Sequence, residues 1–224
     1  MIELGIKPIL PAFAGFVPDK YVDIFPEFSF FQGPNWPSGQ FNQTFTGLKY
    51  LDPTDPFSFS LFTEIGAKLI HSQKSFYGYK DGAVDYYADT FNEMSPPESE
   101  NREILSLFSK AVFEGINSAD KLGKWFLQGW LFHSSKWFWQ KDGNKLKYLS
   151  GVPEARLIVL DLMSEADPIF KENDGYHGRF FVWNMLNNFG GNYGMVGHVD
   201  SLVKLMDTFE EYRAVFQDKR QNMK

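Results

Sequence analysis

Cysteine is absent from this 224-residue chain. That excludes disulfides, thiolate metal sites and a cysteine nucleophile. Cationic residues are the minority: 22 Lys and Arg against 28 Asp and Glu leave a net charge of −6. The charges are spread without long runs. Neither the basic face of a nucleic-acid binder nor a polybasic membrane patch is expected, so no nucleic-acid partner is called for. No apolar stretch reaches the length of a membrane span. No repeat at solenoid period appears, and no linker divides the sequence. Residues 1–224 read as one domain, long enough to bury a sizeable core.

Several catalytic signatures are missing as well. The four histidines, His71, His133, His177 and His198, show no H-E-x-x-H or other paired ligand spacing, so no metal is called for. They read as surface or loop residues. No G-x-S-x-G elbow exists, which argues against a Ser-His-Asp hydrolase. The stretch from Gly190 to Gly197 (GGNYGMVG) has neither G-x-G-x-x-G spacing nor the Lys-Ser/Thr of a P-loop. It reads as a tight turn letting the backbone pass near a ligand, and no cofactor is called for.

Aromatic residues are abundant instead, at 18%, with 24 Phe, 10 Tyr and 6 Trp. They predict a large aromatic core, with some free to stack on sugar rings. Hydrophobic periodicity alternates between strand and helix. Short apolar strands are expected at Ile6 to Leu10, within Val22 to Phe31, and at Ala83 to Phe91. Others are expected at Trp125 to Trp130, Leu157 to Leu162 and Phe180 to Leu186. Pro34 to Pro56, rich in Pro, Gly, Asn and Thr, reads as a long loop. Asp55-Pro56 opens a helix running through Ile70. A second helix covers Glu100 to Ala119, with Ile104, Leu105, Phe108, Val112 and Ile116 on one face, and a last one covers Val199 to Phe216. Strands alternating with helices predict an α/β fold with a parallel sheet.

The segment Tyr86 to Pro97 (YYADTFNEMSPP) reads as a buried strand ending in an exposed Asn92-Glu93 pair and a Pro-Pro stop. Barrel enzymes carry catalytic groups at the C-terminal ends of their strands. A carboxyl there, beside an amide able to bond a sugar hydroxyl, suits the acid/base group of a glycoside hydrolase. Other strand-end carboxylates are Asp161, within an apolar run and more often a structural anchor, and Glu165 and Asp167 in a turn before Pro168. The triplet Asn42-Gln43-Thr44 is a glycosylation sequon.

Five ordered stretches resemble the α-N-acetylglucosaminidases, retaining glycoside hydrolases that trim heparan sulfate in lysosomes. They are Pro8 to Gly15 (PILPAFAG) with Val17-Pro18, and Ala88 to Met94 (ADTFNEM) with Pro96-Pro97. Leu127 to Phe132 (LQGWLF), Leu160 to Leu162 with Glu165, and Trp183 to Leu186 running into Asn188 to Asn192 (NFGGN) complete the set. The resemblance implies a (β/α)8 TIM-barrel glycosidase domain, incomplete at both ends. It implies Glu93 as general acid/base, with Asn92 holding the substrate. Trp36, Trp130, Leu162, Leu186 and Phe189 would line the pocket for a terminal N-acetylglucosamine of a glycosaminoglycan. Asn42 would be glycosylated, the location lysosomal, and a homo-oligomer compatible with the full-length form. The family usually has His where this chain has Phe16.

The retaining mechanism needs two carboxyl groups about 5–5.5 Å apart. The family's nucleophile lies in a strand-end motif downstream of the final helix, and this sequence shows no such motif. Three readings follow: part of a longer lysosomal enzyme, a catalytically inactive truncated sugar-binding product, or a related barrel using Glu93 and Glu165 as an inverting pair. An open parallel sheet exposes edges and apolar surface, so poor solubility of the isolated chain is also expected.

Overall fold

A computed structural model describes residues 2–33, 49–96, 103–141 and 143–162, together with 164, 168–171, 176, 180–183, 204, 206–208, 210, 211 and 214. In chain order the elements are β1 (Ile9–Pro11), β2 (Phe16–Val17), α1 (Lys20–Ile24), β3 (Phe30–Gln32), β4 (Lys49–Leu51), α2 (Pro56–Tyr77) and β5 (Asp85–Tyr87). They continue with α3 (Glu103–Ala119), β6 (Trp125–Gln128), α4 (Trp130–Ser134), α5 (Lys136–Trp139), α6 (Asn144–Ser150), β7 (Leu157–Leu162) and β8 (Phe180–Trp183). The described residues from 204 to 214 are helical. Two compact units result: residues 1–127 with 131–157, and residues 128–130 with 158–224.

In the first unit β1, β5 and β6 are parallel neighbours in that order, with Ile9 opposite Asp85 and Tyr86 opposite Trp125. A separate antiparallel sheet runs β2-β4-β3, with Phe16 and Phe31 both opposite Tyr50. In the second unit β7 and β8 are parallel, Val159 facing Phe180 and Leu162 facing Trp183. The alternation of parallel strands with helices is the α/β arrangement that the periodicity predicts. Five parallel strands are present among the described residues, against the eight that close a barrel.

The two long helices form where their sequences dictate. Asp55 caps α2 by accepting from Ser58 N at 2.8 Å, and Pro56 occupies the first turn, where its missing N–H costs nothing. The Ser58 hydroxyl bond, then the backbone bond, holds the Asp55 carboxyl below its ordinary value of 3.8. That contribution to stability is complete above the unfolded value and is lost as pH falls through the folded one. The helix continues past Ile70 to Gly78, whose left-handed backbone (φ 68°) ends it. On α3 the predicted face of Ile104, Leu105, Phe108, Val112 and Ile116 is buried. Gly66 of α2 meets Gly115 of α3, and a Cβ on Gly66 would lie 3.1 Å from the Gly115 Cα.

Other expectations are corrected. The strand expected within Val22 to Phe31 is β3, at the end of that stretch, and helix α1 occupies its beginning. The long loop from Pro34 holds β4, whose Tyr50 and Leu51 are fully buried. The β5 strand stops at Tyr87, and residues 90–94 form a turn. Strand β7 alternates buried and half-buried positions. Residues 130–150 form the three short helices α4 to α6, which no periodicity had marked.

The N-terminal ends of the strands carry a polar anchor. The fully buried Asp120 accepts from Gly82 N at 3.0 Å, Tyr86 Oη at 3.0 Å and Gly123 N at 2.8 Å. Arg156 donates from Nε to Gly123 O at 2.9 Å and lies 5.1 Å from the Phe113 ring centre. Groups at this end of barrel strands serve stability, whereas chemistry sits at the opposite end.

The Gly66–Gly115 crossing yields a first prediction. Gly115→Leu forces α2 and α3 apart and lowers stability by about 2 kcal/mol, within the usual cost of overpacking. A urea midpoint unchanged from the parent would contradict the close approach.

Candidate active site

Beyond Tyr87 the chain leaves β5 carrying small and aromatic residues that are almost wholly buried: Ala88, Thr90, Phe91 and Met94. The carbonyls of this stretch are held in place. Ala88 O accepts from Trp125 Nε1 at 2.9 Å, and Thr90 O accepts from Tyr50 Oη at 3.1 Å. The Phe91 ring is fully buried in a cage of four aromatics. Its centre lies 5.7 Å from Tyr50, 5.0 Å from Phe108, 6.3 Å from Trp139 and 6.0 Å from Tyr148.

Met94 N donates to Phe91 O at 3.3 Å, closing a four-residue turn with Asn92 and Glu93 at its centre. Glu93 has φ of 54°, in the left-handed region. Turns that need positive φ at this position favour Gly or Asn. A Glu there carries about 1–3 kcal/mol of backbone strain, which persists only where the surroundings impose it. Such residues cluster at active sites. Asn92 and Glu93 are both half-buried, so the pair is reachable at the surface of the turn.

Unsatisfied polar atoms gather in the same region. Thr90 Oγ1, Asn92 Oδ1, Trp139 Nε1 and Tyr148 Oη are buried without a hydrogen-bond partner among the described residues. Buried polar groups are normally paired, so each such atom calls for a reason. Asn92 Oδ1 lies next to the strained Glu93. Tyr148 stays neutral: burial pushes its phenol above the ordinary value of 10.0, only partly offset by the neighbouring Thr90 hydroxyl, and the Asp89 charge adds to the rise. The two hydroxyls influence each other without reaching hydrogen-bond geometry. Burial also raises the Tyr50 phenol.

The second unit holds two further candidates. Trp130 and Leu162 are both half-buried. Gly129 N donates to Leu160 O at 2.7 Å, bringing the backbone before Trp130 against the strand that carries Leu162. Trp36, Asn42, Leu186 and Phe189 lie outside the described residues, as do Glu165 and Asp167. Among the described residues no group of His, Asp and Glu is arranged to hold a metal, and no helix is long and apolar enough to cross a membrane. The aromatic cage and its unpartnered hydroxyls escaped sequence reasoning. Tyr50, Phe108, Trp139 and Tyr148 come from four separate elements; helical periodicity marked Phe108, and only the density of aromatics hinted at the other three.

Removing the strain and removing the cage have opposite effects. Glu93→Gly leaves stability unchanged or raises it by up to about 1 kcal/mol, because glycine adopts left-handed φ freely. Phe91→Ala lowers it by about 3–5 kcal/mol. Denaturant titration of both variants checks the pair, and a Glu93→Gly protein clearly weaker than Glu93→Gln would remove the argument from strain.

Known proteins share this sequence and fold. The profile of the Alpha-N-acetylglucosaminidase (NAGLU) tim-barrel domain matches residues 1–223. The human protein named Alpha-N-acetylglucosaminidase is 37% identical over 204 residues, which are 90% of this chain but 26% of that protein. A family 89 glycoside hydrolase from Clostridium perfringens, solved with 2-acetamido-1,2-dideoxynojirmycin, superposes with a TM-score of 0.61 at 23% identity, over 84% of this chain and 19% of the bacterial one. A Clostridium perfringens structure in complex with its substrate GlcNAc-alpha-1,4-galactose gives the same TM-score of 0.61 at 23% identity, over 85% of this chain and 19% of that one. The chain thus spans about a quarter of the curated relative's length.

Proposed function

This chain belongs to the alpha-N-acetylglucosaminidase TIM-barrel family, and from that premise we propose that it supplies part of the catalytic barrel of an exo-acting glycoside hydrolase. The enzyme removes terminal α-linked N-acetylglucosamine from heparan sulfate by a retaining mechanism. Its place of work is the lysosome, with Asn42 glycosylated. The observation that carries the reading is the left-handed backbone of Glu93 at the end of β5.

In this mechanism Glu93 protonates the glycosidic oxygen as the bond to the anomeric carbon breaks. It then takes a proton from the water that releases the sugar. The second carboxyl acts as the nucleophile. Asn92 holds the sugar beside Glu93, and its buried Oδ1 accepts a hydrogen bond from a hydroxyl or the acetamido N–H. Trp130, Leu162, Leu186 and Phe189, with Trp36, enclose the ring.

The test uses the intact protein that carries these residues. Glu93→Gln keeps the side chain's shape and removes its proton transfer. Turnover of an aryl α-N-acetylglucosaminide should fall about 10²–10⁴-fold, while KM changes little. Full turnover by Glu93→Gln would sink the acid/base assignment.

A further inference from the structure

Asp161 lies in the middle of an apolar strand and is fully buried. A carboxylate in such a place is costly unless hydrogen bonds compensate for lost water. Here Tyr176 Oη donates to Oδ1 at 3.1 Å and Ser164 Oγ donates to Oδ2 at 2.9 Å. Ser164 Oγ also donates to the Asp161 backbone oxygen, and Ser164 N donates to Trp183 O at 3.3 Å at the end of β8. The carboxylate is therefore the centre of a network joining the C-terminal ends of β7 and β8.

Tyr176 brings in the third strand end. It is fully buried and has φ of 46°, left-handed for a bulky aromatic. That conformation holds only where the surroundings enforce it. Its hydroxyl sits against Gly129: a Cβ there would lie 3.1 Å from Tyr176 Oη and 2.8 Å from Leu160 O. The absence of a side chain at 129 lets the phenol reach Asp161 while Gly129 N bonds Leu160 O at 2.7 Å. The residue after Gly129 is Trp130, and the residue after Asp161 is Leu162. On β7, Leu162 faces away from Asp161, because successive side chains alternate.

We infer that Asp161 and Tyr176 are positioning residues that fix Trp130 and Leu162 for the sugar, through the backbone of Gly129 and β7, without touching the substrate themselves. This rests on the reading of Trp130 and Leu162 as pocket lining. Contacts to the non-reacting part of the ring act equally in the ground state and the transition state. Their loss therefore raises KM and spares kcat.

The experiment measures kcat and KM for an aryl α-N-acetylglucosaminide with the intact protein, per folded molecule. Tyr176→Phe, which removes the donor and keeps the ring, raises KM about tenfold, the scale of one hydrogen bond to a charged acceptor, with kcat within about twofold. Asp161→Asn moves KM in the same direction. Trp130→Ala raises KM at least as far. A Tyr176→Phe protein with unchanged KM beside a Trp130→Ala protein with raised KM overturns the positioning role and leaves the pocket reading standing. A lower melting temperature with unchanged KM likewise marks the pair as structural only. Unchanged KM in Trp130→Ala removes the pocket reading, and the positioning role falls with it. Should Tyr176→Phe fail to fold, Ser164→Ala decides in the same assay: a raised KM supports the role and an unchanged one overturns it.

Discussion

The Phe91 ring is fully buried two residues before Glu93, and the shape of the turn follows from that burial. Burying a phenylalanine side chain contributes about 1.5–3 kcal/mol. Each well-placed aromatic neighbour adds about 0.5–1.5 kcal/mol, and Phe91 has Tyr50, Phe108, Trp139 and Tyr148 around it. Left-handed φ at Glu93 costs about 1–3 kcal/mol. Packing therefore outweighs strain, and the turn is imposed from below rather than chosen by its central residues. A glycine at 93 would make the same turn unaided, but it could not serve as the acid/base proposed for Glu93. The Tyr50 hydroxyl on Thr90 O fixes the carbonyl just before the ring, so β4 is coupled to the position of the Glu93 carboxyl.

The two ends of the parallel strands in the first unit use different chemistry. At the N-terminal ends, the Asp120 carboxylate accepts from backbone N–H groups and from Tyr86 Oη, and Arg156 donates to Gly123 O. A satisfied network of this kind rigidifies a fold. At the C-terminal end of β5, Thr90 Oγ1 and Asn92 Oδ1 are buried without partners among the described residues. Among the described residues, hydrogen-bonding capacity is met at the first end and left open at the second.

The long helices were legible because their signals are local. Asp55-Pro56 marks the start of α2, and the 3.6-residue period of Ile104, Leu105, Phe108, Val112 and Ile116 marks the buried face of α3. The end of β5 was not legible, because Ala88 to Met94 stays apolar for the sake of the cage and so mimics a continuing strand. Strand β4 was hidden by the Pro- and Gly-rich stretch before it, although Tyr50 and Leu51 are among the most buried residues described. Glu93 stood out through its ordered companions along the chain; the left-handed backbone that supports it has no sequence signal, since Glu is not a turn residue. Asp161 read as an anchor and is one, but Tyr176, fifteen residues away, belongs to no motif and its contact is purely tertiary.

A group that transfers protons and a group that only binds call for different supports. Hydrogen bonds to a reacting carboxyl favour one protonation state over the other and shift its pKa. Packing through Phe91 fixes the Glu93 backbone. Trp130 and Leu162, proposed above to line the pocket, do not titrate, so a hydrogen-bonded hub can hold them at no such cost. The hub carries its own strain, at Tyr176. Substitutions in the aromatic cage should therefore be felt in the chemical step, and substitutions around Asp161 in binding. On this division the unusual backbone at 93 and the unusual backbone at 176 serve the same end by separate means: each places a side chain that local sequence preference would have placed elsewhere.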